Sequence, residues 1–125
     1  MFSIDNMSRQ PVYEQLIKQT EDFILRGILK PGEKMPSVRN LSFSLNINPN
    51  TIQKAYSELD TYGLIYSVPG RGCFVSEDAI ERISDKKRKS LTELKDMLRD
   101  FKLAGIDLDE IKHIAEEVYK EGDPK

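Results

Sequence analysis

The segment from Asn46 to Val75 limits what this chain can fold into more than any other part of it. Asn46-Ile47 breaks a preceding helical pattern. Asn48 is a good N-cap and Pro49 suits a first helical position, so a new helix is predicted to start there. Ile52, Ala55, Tyr56 and Leu59 recur at the spacing of one helix face, and Gly63 is placed to stop it, giving a helix over about 49–62. The β-formers Leu64-Ile65-Tyr66-Ser67-Val68 follow, then the turn Pro69-Gly70-Arg71-Gly72, then Cys73-Phe74-Val75. That order predicts a β-hairpin directly after the helix.

Upstream, Val12, Tyr13, Leu16, Ile17, Phe23 and Ile24 form an amphipathic pattern over about 11–26, with Pro11 at its start, a polar gap at Thr20 and Gly27 at its end. Glu14, Glu21 and Asp22 are assigned to its polar face. Lys30-Pro31-Gly32-Glu33 reads as a turn, and Lys34-Met35 is extended because Pro36 disfavours the α region before it. Ser37 caps a shorter helix carrying Val38, Leu41 and Leu45. Residues 1–76 therefore read helix, helix, helix, hairpin, the layout of a winged helix-turn-helix.

From about residue 77 the texture changes. Residues 1–76 carry eight basic and seven acidic side chains, the remainder eleven and fourteen. The tail reads as two helices. The first, about 78–103, presents Ile80, Ile83, Leu91, Leu94, Leu98 and Phe101, with the stripe interrupted near Lys87. After Gly105, Asp107 and Glu110 are spaced as a capping box, and Ile106 with Ile111 as a hydrophobic staple. Leu108, Ile111, Ala115 and Val118 continue the stripe, and residues 121–125 read as a fraying end. The expected fold is mostly α with a small β-hairpin: a winged helix-turn-helix over 1–76 and a two-helix element over 77–125. The run Asp85-Lys86-Lys87-Arg88-Lys89 reads as a solvated helix face.

The outward face of the third helix carries Asn50, Gln53, Lys54 and Ser57, with Thr51 beside it. Surface helices usually bear Glu and Lys. These types instead match base edges: Asn and Gln suit adenine, Lys suits guanine, and Thr suits a thymine methyl or a phosphate. The face alone is equally consistent with an ordinary polar surface on which Asn48 and Thr51 are only caps. Arg71, between two glycines at a turn tip, adds weight to the nucleic-acid reading. Glycines permit close backbone approach, and an arginine can enter a narrow minor groove, although a solvated turn arginine is the bland alternative.

Other chemistries find little support. The 125 residues are 38% hydrophobic and 32% charged, with a net charge of -2, which argues against an indiscriminate polyanion binder. No apolar run is long enough to span a bilayer, and no signal peptide is recognisable, so a cytoplasmic location without membrane association is expected. One cysteine, Cys73, and one histidine, His113, make neither a disulfide framework nor a zinc site. Asp107, Asp109 and Glu110 suit helix-start chemistry better than metal binding. Tyr56, Tyr62 and Tyr66 are spaced as core and hinge packing residues. No nucleophile–base pair or phosphate loop is visible, so neither an enzyme nor a cofactor is expected.

Taken together, Pro31-Gly32-Glu33-Lys34-Met35-Pro36-Ser37-Val38-Arg39, Asn50-Thr51-Ile52-Gln53-Lys54-Ala55-Tyr56 and Gly70-Arg71-Gly72-Cys73-Phe74-Val75 resemble, in order and spacing, the DNA-binding domain of the GntR family of bacterial transcription regulators. The resemblance covers about residues 10–76. It implies phosphate-side contacts from Ser37 and Arg39, groove contacts from Asn48, Asn50, Thr51 and Gln53, a weaker contact from Lys54, and a wing contact from Gly70 and Arg71. Pro49 stands where many members have Arg, so their operators do not transfer. Asn48-Pro49-Asn50-Thr51 and the short tail are similar to the YtrA-like branch, in which the tail pairs two subunits.

Ile83, Leu91, Leu94, Leu98, Phe101, Ile111 and Val118 are accordingly the expected dimerisation residues. The function expected is a homodimeric, sequence-specific regulator, most simply a repressor, on an inverted-repeat operator in double-stranded DNA. A winged helix serving a protein partner, and a sensor with an unidentified small-molecule effector between the dimer tails, are the alternatives.

Overall fold

In the computed structural model, which describes residues 1–122, helix α1 spans Val12–Leu25, α2 Val38–Leu45 and α3 Pro49–Thr61. Strands β1 (Ile65–Val68) and β2 (Gly72–Val75) follow, then helices α4 (Ala79–Lys89), α5 (Leu91–Leu103) and α6 (Leu108–Lys120). The chain divides into two units between Lys86 and Lys87. The first is a winged helix-turn-helix, with α1–α3 and one antiparallel hairpin.

Local chemistry sets the α2–α3 joint. The Ser37 hydroxyl accepts the Asn40 N–H at 3.0 Å and starts α2. Asn46 ends it in the left-handed region, at φ 55°, which Asn tolerates better than most residues. The Ser42 hydroxyl donates to the Ile47 carbonyl at 2.6 Å, closing the turn. Asn48 then accepts the Asn50 N–H at 2.8 Å, with Pro49 in the first turn of α3. Three helices close over Leu16, Ile24, Leu41, Ile52, Ala55 and Leu59, and the hairpin adds Ile65 and Val75. Burial of one large aliphatic side chain of this kind contributes roughly 1.5–3 kcal/mol.

In the hairpin Ile65 pairs with Val75, Tyr66 with Phe74, Ser67 with Cys73 and Val68 with Gly72. The Arg71 N–H donates to the Val68 carbonyl at 2.9 Å. Pro69 and Gly70 are the central residues of that turn, and φ of 78° at Gly70 makes it type II, which needs a glycine there. Lys34-Met35 is extended, as Pro36 predicts, but it is also docked. Lys34 bridges Phe74, and the Met35 N–H donates to the Cys73 carbonyl at 2.8 Å. The loop before α2 thus runs as a third lane beside β2, a pairing absent from the sequence reading.

Several expectations need correcting. Thr20 is not on a polar gap but is buried, its hydroxyl donating to the Leu16 carbonyl at 2.8 Å. Glu21 is also buried, paired at 3.1 Å with Lys86, whose ammonium lies 4.3 Å from the Tyr62 ring centre. Lys86 is therefore not simply part of a solvated charge run. Of the three tyrosines read as packing residues, only Tyr56 is buried; Tyr62 and Tyr66 are exposed. Ala79 and Ile83 are fully buried in the first unit, so that unit continues past Ser76. Ile83, expected at a dimerisation face, is instead a core residue, because the apolar side of α4 closes the hydrophobic cluster. The single helix expected over 78–103 is two, α4 and α5, separated at Ser90. There the Ser90 N–H bonds the Lys87 carbonyl at 3.0 Å, an i→i+3 tightening at the point where the apolar stripe lapses.

The N-terminal segment, which the sequence left unassigned, is strapped to α1. Phe2 meets Phe23 edge-on at 5.1 Å, and the side-chain amides of Gln15 and Gln19 each bond both backbone polar groups of Asp5 and Ser3, respectively. In the second unit Asp107 caps α6 by accepting the Glu110 N–H at 3.0 Å. No side chain of α5 or α6 is buried among the described residues.

Candidate nucleic-acid interface

Four α3 positions, Ile52, Ala55, Tyr56 and Leu59, point into the core. The helical repeat therefore turns Asn50, Gln53, Lys54 and Ser57 outward, and all four are exposed. Thr51 is half-buried at the edge of this face. Asn48 spends its amide oxygen on the cap and keeps its NH₂ donors available to an acceptor. Gln53 and Ser57 are joined by a long 3.4 Å hydrogen bond, weak enough to exchange for a base edge. Lys54 turns toward α1, its ammonium 3.8 Å from the ring centre of Tyr13.

The wing and the start of α2 converge. Ser37, Val38, Gly70, Arg71, Gly72 and Cys73 line one cleft of about 350 Å³, together with Lys34. Gly72 sits at φ 113°, a backbone conformation that favours glycine, and a Cβ there would come within 3.1 Å of the Lys34 side chain, which would have to shift. Ser37, Arg39, Gly70 and Arg71 are all exposed. Lys34 was missed as a candidate: its place beside the wing depends on the non-local bridge to Phe74. The place of Tyr13 against Lys54 is visible only from the packing of α1 on α3.

Among the described residues, Lys34, Arg39, Lys54 and Arg71 have no carboxylate within ion-pairing distance, a state they share with most lysines and arginines other than Lys18, Arg82, Lys86 and Arg99. The N-termini of α2 and α3 add their dipoles' positive ends to the same unit. Desolvation by burial pushes the Tyr56 phenol well above the ordinary tyrosine value, with a smaller contribution from Cys73, so it stays a neutral donor. Its hydroxyl donates to the Pro36 carbonyl at 2.6 Å, tying α3 to the lead-in of α2.

The family of bacterial regulatory proteins described as gntR matches residues 12–75, the segment that holds α1–α3 and the wing. The chain belongs to the GntR family. It is 40% identical over 119 residues, 94% of this chain and 92% of the other, to the HTH-type transcriptional repressor YtrA of Bacillus subtilis. Among solved structures it resembles a GntR family transcriptional regulator from Listeria monocytogenes, at 33% identity with a TM-score of 0.74, covering 91% of this chain and 98% of that one. It also resembles the DNA-binding domain of AraR in complex with its operator ORX1, at 31% identity with a TM-score of 0.53, covering 60% of this chain and 93% of that one. This is a family of transcription regulators, not of enzymes.

Of the expected pairing residues in the second unit, Leu91, Leu94 and Val118 are exposed, and Leu98, Phe101 and Ile111 are half-buried. His113 is exposed and faces Glu117 at 2.8 Å, an i,i+4 pair along α6. No helix among the described residues is long and apolar enough to cross a membrane.

Proposed function

We propose that the chain is a homodimeric, sequence-specific repressor that binds an inverted-repeat operator in double-stranded DNA. The observation that carries this reading is the exposed, uncharged-polar start of α3 in the same unit as a wing whose Arg71 has no carboxylate partner among the described residues. Asn48, Asn50 and Gln53 would read base edges in the major groove, with Thr51 at the margin. Ser37, Arg39, Lys34 and Lys54 would meet phosphates, and Gly70 with Arg71 would follow the adjacent minor groove. The AraR DNA-binding domain, of similar fold, is described in complex with an operator, which supports the same use of the first unit.

Dimerisation is supported by the second unit. Two helices with no buried side chain and with Leu91, Leu94 and Val118 open to solvent are poorly stabilised alone. A second copy laid against Leu94, Leu98, Phe101, Ile111 and Val118 would cover them. Two-fold symmetry then sets half-sites roughly 34–36 Å apart. Such a regulator acts where the bacterial chromosome is, in the cytoplasm.

Selection of random duplex DNA against the purified protein, with its mass in solution recorded alongside, tests this reading. An enriched inverted repeat bound by a dimer supports it. A monomer at micromolar concentration without any enriched sequence overturns it.

A further inference from the structure

We propose that Tyr13 is a positioning residue for DNA binding: its ring holds the Lys54 ammonium at the border of the α3 face with the charge unneutralised. Lys54 lies one helical turn beyond Asn50, on the outward side of α3. It has a carboxylate at hand, Glu58, one further turn along, and Glu14 lies beside Tyr13 on α1. It pairs with neither among the described residues; its Nζ sits 3.8 Å from the Tyr13 ring centre. The Tyr13 hydroxyl donates to Glu14 at 3.2 Å, while the face of the ring carries the Lys54 contact.

The choice of partner matters electrostatically. A lysine paired with a carboxylate presents little net charge to a phosphate. A ring quadrupole orients the ammonium without cancelling it, and it removes rotamer freedom that a phosphate contact would otherwise have to freeze. Tyr13 itself packs against the core from the first turn of α1. Position is therefore passed from a fixed α1 to a long, flexible side chain on the recognition helix.

The proposal rests on the DNA-binding reading above, and the test separates the two. Affinity for a mixed-sequence duplex is measured across a salt series for the full chain and for Lys54→Gln, Tyr13→Phe, Tyr13→Leu and the Tyr13→Leu/Lys54→Gln double variant. Lys54→Gln should lower the salt slope by about one and weaken every sequence alike. Tyr13→Phe, which keeps the ring, should stay within about twofold of the parent. Tyr13→Leu should lose about two- to fivefold, and should lose nothing more once Lys54 is Gln. An unchanged slope in Lys54→Gln overturns the proposal and leaves the wider reading standing. So does a loss in Tyr13→Phe equal to that in Tyr13→Leu, or additive losses in the double variant. A parent chain that binds no DNA overturns both.

Discussion

The Tyr56 hydroxyl reaches back across the helix-turn-helix to the Pro36 carbonyl, 2.6 Å away. Tyr56 comes from the middle of α3 and Pro36 from the strand-like loop that leads into α2, so one side-chain bond fixes the angle at which Ser37 begins its helix. Tyr56→Phe keeps the ring in the core and removes only this bond. It should destabilise the first unit by about 1 kcal/mol in urea unfolding, without a change in m.

The same residue gives a pH prediction. Burial holds the folded phenol protonated above the ordinary value of 10.0 at which it ionises when unfolded. Its stabilisation is therefore complete below pH 10 and is lost as pH rises toward the folded value. Unfolding of the parent chain at about pH 8 and pH 11 should show a fall that Tyr56→Phe partly abolishes. An equal fall in both would place the alkaline sensitivity elsewhere.

Asn48 separates capping from DNA contact. Asp caps a helix as well as Asn and suits the dipole, so Asn48→Asp should leave the melting temperature within a degree or two. Its negative charge at the α3 start should nonetheless weaken DNA binding at least about tenfold, a cost typical of one misplaced charge. Retained affinity would remove Asn48 from the interface.

Base and phosphate contacts should divide between α3 and α2. Gln53→Ala should relax preference at one position per half-site, by roughly 1–3 kcal/mol, while Arg39→Ala should weaken all sequences alike and flatten the salt dependence. Competition binding against single-base operator variants distinguishes the two patterns. If both variants bind as the parent does, the outward face of α3 is not the reading face.

How far the sequence reveals this arrangement depends on the distance over which each determinant acts. The α2–α3 joint is legible because Ser37, Asn48 and Pro49 act within a few residues of themselves, and the wing because Pro69-Gly70 demands one turn type. Buried polar groups are not. Thr20 is satisfied by its own helix and Glu21 by Lys86, 65 residues on, and neither solution leaves a periodic trace. Ile83 makes the same point for apolar residues: a stripe says that a face is covered, not by what. The outward, exposed face of α3 was legible from the spacing of its apolar residues, whereas Lys34 and Tyr13 acquire their places only through non-local packing.

The Glu21–Lys86 pair predicts an asymmetry. Lys86→Met removes the partner of a carboxylate that is almost wholly enclosed and should cost about 1–3 kcal/mol, less than a fully buried pair because Lys86 is itself partly exposed. The Glu21→Gln/Lys86→Met double variant should recover part of that loss. Thermal unfolding of the two variants measures the difference, and no recovery in the double variant would mean that Lys86 acts mainly through the Tyr62 ring.

The seating of Ala79 and Ile83 in the first unit has a consequence for how such proteins are recombined. A graft that joins another protein's tail at Ser76 would carry over the hairpin but leave behind two side chains of the hydrophobic core, and a lysine that answers a buried acid. The transplantable part ends ten residues later, at Lys86. A seam placed there exchanges α5 and α6 and leaves the packed core of the first unit intact, so a lineage could trade one tail for another without rebuilding the winged helix.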